Sequence, residues 1–452
     1  MRALTKPDST VRAAAVGLAL LVLGSACAPA LSIGGTGPSG AVSSAPGQLA
    51  AVATFPAISV AALQNSRLPG SIENDRGLKL GGVGSDLWRS PSDPPGQYWM
   101  VTDRGPNGQV RAGGKNRRTF PVPAYSPLIL QVQVDGGNVE ILSSLPIAGQ
   151  SGRPVTGLPN DEIQEIPYGF DAQTQLPYNP SGLDVEGLVR TPAGEFWTVE
   201  EYAPSLVRID AAGKVVRRYV PQGVEIAGAD YPIAPSLPGI LKTRSSNRGF
   251  EGLTLSPDGT TLYLAIQSPL ANPNPKTGNK SRNVRILAFD VQTERVTAEY
   301  VYRFEPIADF DPTVKPAPEE MKLSGLAPAG PSSLLVLERT DRVAKLYLAE
   351  LKDATNILGT RWDDPGTSPS LESVGNPADD RIAVLEKSLV VDLSTISEMP
   401  DKVEGVAIVD RSTVAVANDN DFDIGNFDQA GNNVGQGLQS KMLLVTLPRP
   451  LP

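Results

Sequence analysis

From about Ala51 onward, short runs of β-branched and aromatic residues alternate with turns rich in Pro, Gly, Asp and Ser, and sustained helical periodicity is almost absent. The pattern predicts strands nearly throughout. Laid against itself, the sequence repeats one hairpin: Asp184-Val-Glu-Gly-Leu-Val, a turn at Thr191-Pro-Ala-Gly, then Phe196-Trp-Thr-Val-Glu-Glu-Tyr. It returns as Gly249-Phe-Glu-Gly-Leu-Thr-Leu with Leu262-Tyr-Leu-Ala-Ile-Gln, and as Lys322-Leu-Ser-Gly-Leu-Ala with Ser333-Leu-Leu-Val-Leu-Glu-Arg. Lys402-Val-Glu-Gly-Val-Ala-Ile with Thr413-Val-Ala-Val-Ala-Asn-Asp is a further copy, and Gly84-Ser-Asp-Leu-Trp with Tyr98-Trp-Met-Val-Thr-Asp-Arg-Gly is a fainter first one. More strand-like runs follow each hairpin, such as Ser205-Leu-Val-Arg-Ile-Asp and Lys214-Val-Val-Arg-Arg-Tyr.

Four strands per unit, recurring at intervals of some 65 to 80 residues, is the signature of propeller blades. The fold class expected is therefore all-β, a β-propeller of five to six four-stranded blades over residues 51–452. Five are visible; a sixth would join Thr54 to Leu63 with the last strand, Met442 to Leu447, or lie in Arg381 to Leu393. The stretches Pro106 to Pro127, Gly149 to Gly182 and Asn272 to Asn283 read as inserted loops. The competing architecture is a pair of smaller β-sandwich domains.

The amino terminus has a different character. Arg2, Lys6 and Arg12 precede the apolar run Ala13 to Leu23, which meets small residues at Gly24, Ser25 and Ala26, the order of a secretory signal and too short a run to span a bilayer. The single cysteine, Cys27, follows at once and reads as a lipidation site, with a plain cleaved signal as the alternative. Residues 1–26 are thus read as signal peptide and 27–50 as a small, polar tether, making the protein exported, either as a cell-envelope lipoprotein or secreted.

Histidine is absent from all 452 residues. A Ser-His-Asp triad, a Cys-His nucleophile and His-ligated metal sites are excluded, so chemistry must come from carboxylates, amides, hydroxyls, Arg, Lys or Tyr. Forty Lys and Arg against 49 Asp and Glu leave a net charge of -9, which argues against nucleic acid as a partner. The membrane enters only through the lipid, and a monomer acting on a small molecule is expected.

Within each repeat a polar residue opens the first strand and another closes the second: Glu186 with Glu200 and Glu201, Glu251 with Gln267, Ser324 with Glu338, Glu404 with Asn418 and Asp419. In an antiparallel hairpin these positions lie at the same end, so every blade would deliver its pair to one face of the disc. Gly187, Gly252 and Gly405 follow the opening Glu and permit close backbone approach around the axis. Converging carboxylates repel unless a cation sits among them, and carboxylate plus amide oxygen is a hard-ligand set suited to calcium or magnesium. Glu186, Glu251, Glu404, Asn418 and Asp419 are the expected ligands of a divalent cation, most naturally calcium. Asp419-Asn-Asp421-Phe-Asp423-Ile-Gly425 has the alternate-oxygen spacing of a calcium loop, although Ala430 stands where an EF-hand has its Glu.

Asp103 and Glu201 are the expected catalytic bases. Arg104, Arg248, Arg339 and Gln267 flank the same strand ends as substrate-binding residues, with ion pairing to a funnel carboxylate the other reading for the arginines.

Glu186-Gly-Leu with Phe196-Trp-Thr-Val-Glu-Glu-Tyr-Ala-Pro, Asn247-Arg-Gly-Phe-Glu-Gly-Leu-Thr-Leu-Ser-Pro-Asp-Gly, Leu337-Glu-Arg and Ala417-Asn-Asp-Asn-Asp-Phe resemble the bacterial phytase-like family described as having esterase-like activity of phytase, over about Gly81 to Leu447. Where that family more often has Asp-Glu-Tyr-Gly, this chain has Glu200-Glu-Tyr-Ala203. The resemblance implies a propeller and hydrolysis of phosphate or carboxylic esters. The reading is thus a metal-dependent ester hydrolase; the alternatives are a non-catalytic surface propeller binding a ligand or protein around structural calcium, and a lactonase-like enzyme. Inositol hexakisphosphate is not expected, because no Lys-rich cluster is visible beside the acids.

Overall fold

The computed structural model describes residues 46–160, 165–313, 315 and 317–452. The expected export signal, Cys27 and most of the tether lie outside the described residues. Strand pairing begins inside the range read as tether: Gln48–Thr54 is a strand, with Gln48 opposite Thr446 and Thr54 opposite Lys441.

That strand settles the blade number at five. Blade one is Asp86–Trp88, Gln97–Val101, Leu128–Asp135 and Asn138–Pro146; blade two is Val185–Arg190, Phe196–Glu200, Ser205–Ile209 and Val215–Pro221, with Ile233–Leu237 added in parallel outside it. Blade three is Phe250–Leu255, Thr261–Ile266, Asn283–Asp290 and Arg295–Arg303, and blade four is Lys322–Gly330, Ser333–Arg339, Ala344–Glu350 and Glu386–Asp392. Blade five takes Val403–Asp410, Thr413–Asn418 and Lys441–Thr446 from the end of the chain and its outer strand, Gln48–Thr54, from the beginning. Of the segments considered for a sixth blade, the last strand belongs to blade five and Glu386–Asp392 to blade four, while Thr54 ends the outer strand of blade five and the chain beyond it runs into a helix at Val60–Asn65. The five inner strands touch in a closed order, blade one to two to three to four to five and back to one, which excludes two separate sandwiches.

Local chemistry accounts for the hairpins. Gly194 (φ +88°) and Gly259 (φ +75°) close the first turn of blades two and three in the left-handed region that glycine enters without a Cβ penalty. Phe196–Glu200 and Phe250–Leu255 are buried at every position, as expected of strands covered on both faces by neighbouring blades. Trp197 stacks on Tyr219 at 5.8 Å between ring centroids, and Tyr219 meets Phe289 edge-on at 5.2 Å, so an aromatic wedge fills the seam between blades two and three. The expected loop over residues 106–127 contains a hairpin instead, Gly108–Ala112 with Lys115–Thr119, joined by Pro167–Tyr168.

Candidate functional site

The same backbone bond recurs at one end of four blades: Asp103 N–H donates to Gly82 O (3.2 Å), Glu201 to Asp184 (2.9 Å), Gln267 to Gly249 (2.9 Å) and Asp419 to Lys402 (3.0 Å). In blade four, Arg339 pairs with Lys322 at the equivalent place. Each blade therefore sends one strand-end side chain toward the axis: Asp103, Glu201, Gln267, Arg339 and Asp419. The opening positions add Glu186, Glu251, Ser324 and Glu404 beneath them.

The glycines make this ring possible. A Cβ on Gly252 would stand 2.4 Å from Ser324 O, on Gly325 2.7 Å from Glu404 O, and on Gly187 3.0 Å from Glu251 O, each the carbonyl of the next inner strand. Blade one has Asp86 where the others have glycine, and its buried carboxylate crosses the seam to accept from Leu188 N at 2.8 Å.

These side chains enclose a cavity of about 200 Å³ on the axis. Seven carboxylates line it, but so do six cations, Arg104, Arg118, Arg248, Lys322, Arg339 and Lys402. The absence of a basic cluster expected from the sequence is thus corrected: an acidic floor carries a cationic rim. Lys322 and Lys402 precede Ser324 and Glu404 by two, as Asp184 precedes Glu186, and period-two spacing puts each on its neighbour's face. That signal was present in the sequence.

On the floor, Glu251 accepts from Ser324 Oγ (3.1 Å), from Arg339 Nη2 (3.2 Å) and from Gln267 Nε2. Glu404 pairs with the same Arg339 nitrogen. Glu186 and Glu201 differ: both are buried, at 9% and 2% exposure, and no hydrogen bond or ion pair reaches either carboxylate among the described residues. Gln267 Oε1 is likewise buried without a partner.

Electrostatics follow from this arrangement. Burial, then the fields of Glu251, Asp184 and Glu201, push Glu186 well above the usual carboxylate range. Burial and Asp184 do the same for Glu201, and burial with Asp419 and Asp184 for Asp103. Burial lifts Glu404 to about 7 against the opposing pull of Arg339 and Lys402. Burial would also raise Asp419, but Lys402 Nζ at 2.8 Å outweighs it and holds the group below its ordinary value.

Ten of the expected site residues line the cavity: Asp103, Arg104, Glu186, Glu201, Arg248, Glu251, Gln267, Arg339, Glu404 and Asp419. Asn418 does not; its amide is spent on Gln439 O (3.2 Å) and Lys441 N (2.8 Å), fastening the last strand. The Asp419 to Gly425 segment does not wrap as a calcium loop either. Asp419 and Asp421 both pair with Lys402, while Asp423 turns away to accept from the N–H groups of Gln436 and Leu438, each at 2.8 Å. Arg104 and Arg339 are taken up by carboxylates, Arg104 by Asp184 (3.2 Å) and Glu165 (3.3 Å), Arg339 by Glu251 and Glu404. Arg248 alone of the three has no ion pair among the described residues and gives one N–H to Ser268 Oγ (3.1 Å). Glu338, paired in the sequence with Ser324, points outward to Lys387 at 2.6 Å.

Oxygens of Glu186, Glu251 and Glu404 lie within 4.8 Å of one another, as do those of Asp184, Glu186 and Glu201, so Glu186 belongs to both groups. Glu186 and Glu201, which have no donor among the described residues, and the donor-free Gln267 amide oxygen are hard oxygen ligands that fit a divalent cation, while Glu251 and Glu404 also share Arg339.

An uncharacterized secreted protein of Arthroderma benhamiae is 29% identical over 283 residues, 54% of this chain and 55% of that protein, so the chain spans about half the length of this curated relative. Among solved structures, a luciferin-regenerating enzyme aligns over 81% of this chain and 92% of its own at 12% identity and a TM-score of 0.34. A Lactobacillus plantarum protein covers 83% and 86% at 14% identity and 0.33, and the β-propeller domain of Myceliophteria thermophila Cps50 (Swd1) 83% and 98% at 12% and 0.29. Among the described residues no helix is long and apolar enough to cross a membrane. A model of the phytase-like family, described as having esterase-like activity of phytase, matches residues 79–422, and the chain belongs to that family.

Proposed function

We propose that this chain is an exported hydrolase of phosphate or carboxylic esters that works with calcium held on the acidic floor by Glu186, Glu251 and Glu404. The observation that supports it is the meeting of these three carboxylates, from blades two, three and five, beneath a cationic rim. Such a cation supplies polarisation of an ester oxygen and acidification of water. Glu201, whose carboxylate has no donor among the described residues, is the base that takes the proton from the attacking water. Arg248 keeps most of its N–H groups for the anionic part of the substrate, and Lys322 and Lys402 add to the positive field there. Arg104 and Arg339 act as positioning residues, fixing Asp184, Glu251 and Glu404.

The amino-terminal signal carries the protein out of the cytoplasm and Cys27 anchors it to the envelope; the secreted relative supports export. The enzyme acts as a monomer on a small molecule, in keeping with the modest cavity.

Turnover of a chromogenic phosphate monoester and of a short-chain acyl ester tests the reading. Activity should disappear with a chelator, return with calcium, and fall about 10²- to 10⁴-fold in Glu201→Gln. Inertness toward both esters with calcium still bound would instead favour the non-catalytic ligand-binding propeller.

A further inference from the structure

A second charged cavity lies away from the axis. The loop that leaves Gln267 and returns at Asn283 emerges on the same face of the disc as the central cavity, and Arg303 ends its strand opposite Asn283 at that face. Between this loop and residues 372–375 is a groove of about 480 Å³ lined by Lys276, Lys280, Arg282 and Arg303. In a chain of net charge -9, four cations share this space, and none has a carboxylate within ion-pair distance among the described residues. The one acid in the wall, Glu372, is already bound by Arg285 at 3.2 Å.

The groove is held in shape before any ligand arrives. Asn283 Nδ2 donates to Leu371 O and Val374 O, each at 2.9 Å, tying the two walls together, and Ser370 Oγ donates to Asn272 O at 2.9 Å. Arg282 gives its Nε–H to Phe304 O (2.7 Å) and Arg303 one Nη2–H to Gly375 O, so each guanidinium is anchored by one contact and keeps its other donors. Burial, and after it the facing charge of Arg282, lower the Arg303 pKa. Two half-buried guanidinium forks beside two exposed lysines match a tetrahedral oxyanion of high charge better than a single carboxylate, because a phosphate offers three oxygens to several donors at once.

We propose that this outer groove on blade three is a binding site for phosphate-type oxyanions, distinct from the central cavity and independent of whether that cavity is catalytic. The phosphate is carried either by a free small molecule or by a lipid headgroup, two sources of the same chemistry.

Calorimetric titration with pyrophosphate, done in an Arg248→Gln background that removes a rim cation of the central cavity, tests it. Binding should persist in that background and weaken at least tenfold when Arg282→Gln and Arg303→Gln are added. Lys276→Gln with Lys280→Gln, both exposed and outside the core, should weaken it severalfold and guards against a folding defect. A parallel sedimentation with phosphatidylglycerol vesicles distinguishes the source: loss of vesicle binding in the same variants identifies the headgroup, whereas pyrophosphate binding alone identifies the free ligand. Binding abolished by Arg248→Gln alone, unchanged by all four groove substitutions, or absent for both probes would overturn the proposal.

Discussion

Arg339 of blade four and Glu404 of blade five form an ion pair across the blade seam, with both side chains almost wholly removed from solvent. The same guanidinium nitrogen lies 3.2 Å from Glu251 of blade three, so one cation joins three blades at the axis. Removing it strands two buried carboxylates, and the cost of a broken buried pair exceeds what the intact pair contributes.

Arg339→Met should therefore destabilise the fold by about 3–5 kcal/mol. The loss should shrink when calcium is added, since a cation can replace the missing charge. Urea unfolding with and without calcium reads both effects; equal stability of the variant and the parent would contradict the role assigned to Arg339.

Glu186 has the opposite character, a buried acid with no donor. In the absence of divalent ions, Glu186→Gln should leave stability unchanged or raise it by about 1–3 kcal/mol, because it deletes an uncompensated charge while keeping the shape. Thermal unfolding in chelator measures this, and marked destabilisation would mean that Glu186 has a partner not described above.

The metal-free protein should lose stability as pH rises. Glu404 is lifted from 4.5 to about 7, so between those values the folded state keeps a proton that the unfolded chain has released. Its stabilising contribution is complete below pH 4.5 and gone above the folded value, about 3 kcal/mol for this group. Glu186, Glu201 and Asp103 are raised and act in the same direction, while Asp419 is lowered and opposes them. Denaturant midpoints at pH 5 and pH 8 in chelator should differ in that order, and saturating calcium should reduce the difference.

Gly252→Ala places a Cβ 2.4 Å from Ser324 O, a backbone atom that cannot swing aside. It should cost about 1–3 kcal/mol or more by overpacking the inner ring. Gly137→Ala, whose nearest atom would be 3.9 Å away, should be neutral or slightly stabilising, and the pair of melting curves separates crowding from the general effect of removing a glycine.

The repeated hairpins were legible because their strand-turn-strand pattern is local, and with them came the convergence of Glu186, Glu251 and Glu404. Blade closure was legible only in part: the last strand was expected to meet the chain near Thr54, but the strand that it meets, Gln48–Thr54, carries small residues and lies at the other end of the chain, so nothing nearby marks its extent or that it completes the fifth blade. The choice between Glu338 and Arg339 was also hidden, because consecutive residues face opposite ways and the register shifts between Leu323 and Leu326 decide which of the two looks inward. Asn418 looked like a ligand by position, but its amide answers the unpaired backbone of Gln439 and Lys441, a demand visible only once the last strand is in place. The arginines of the cationic rim were legible at the strand ends, whereas Lys322 and Lys402 stand two residues before Ser324 and Glu404, outside the opening position of the repeat, and only the period of the strand brings them to the same cavity.

Metal analysis of the purified protein beside its Glu186→Gln variant decides whether Glu186 helps to hold a divalent cation at the axis. A near-stoichiometric ion is expected in the parent protein and a clear drop in the variant. An ion content that is negligible in both, or the same in both, would contradict that role.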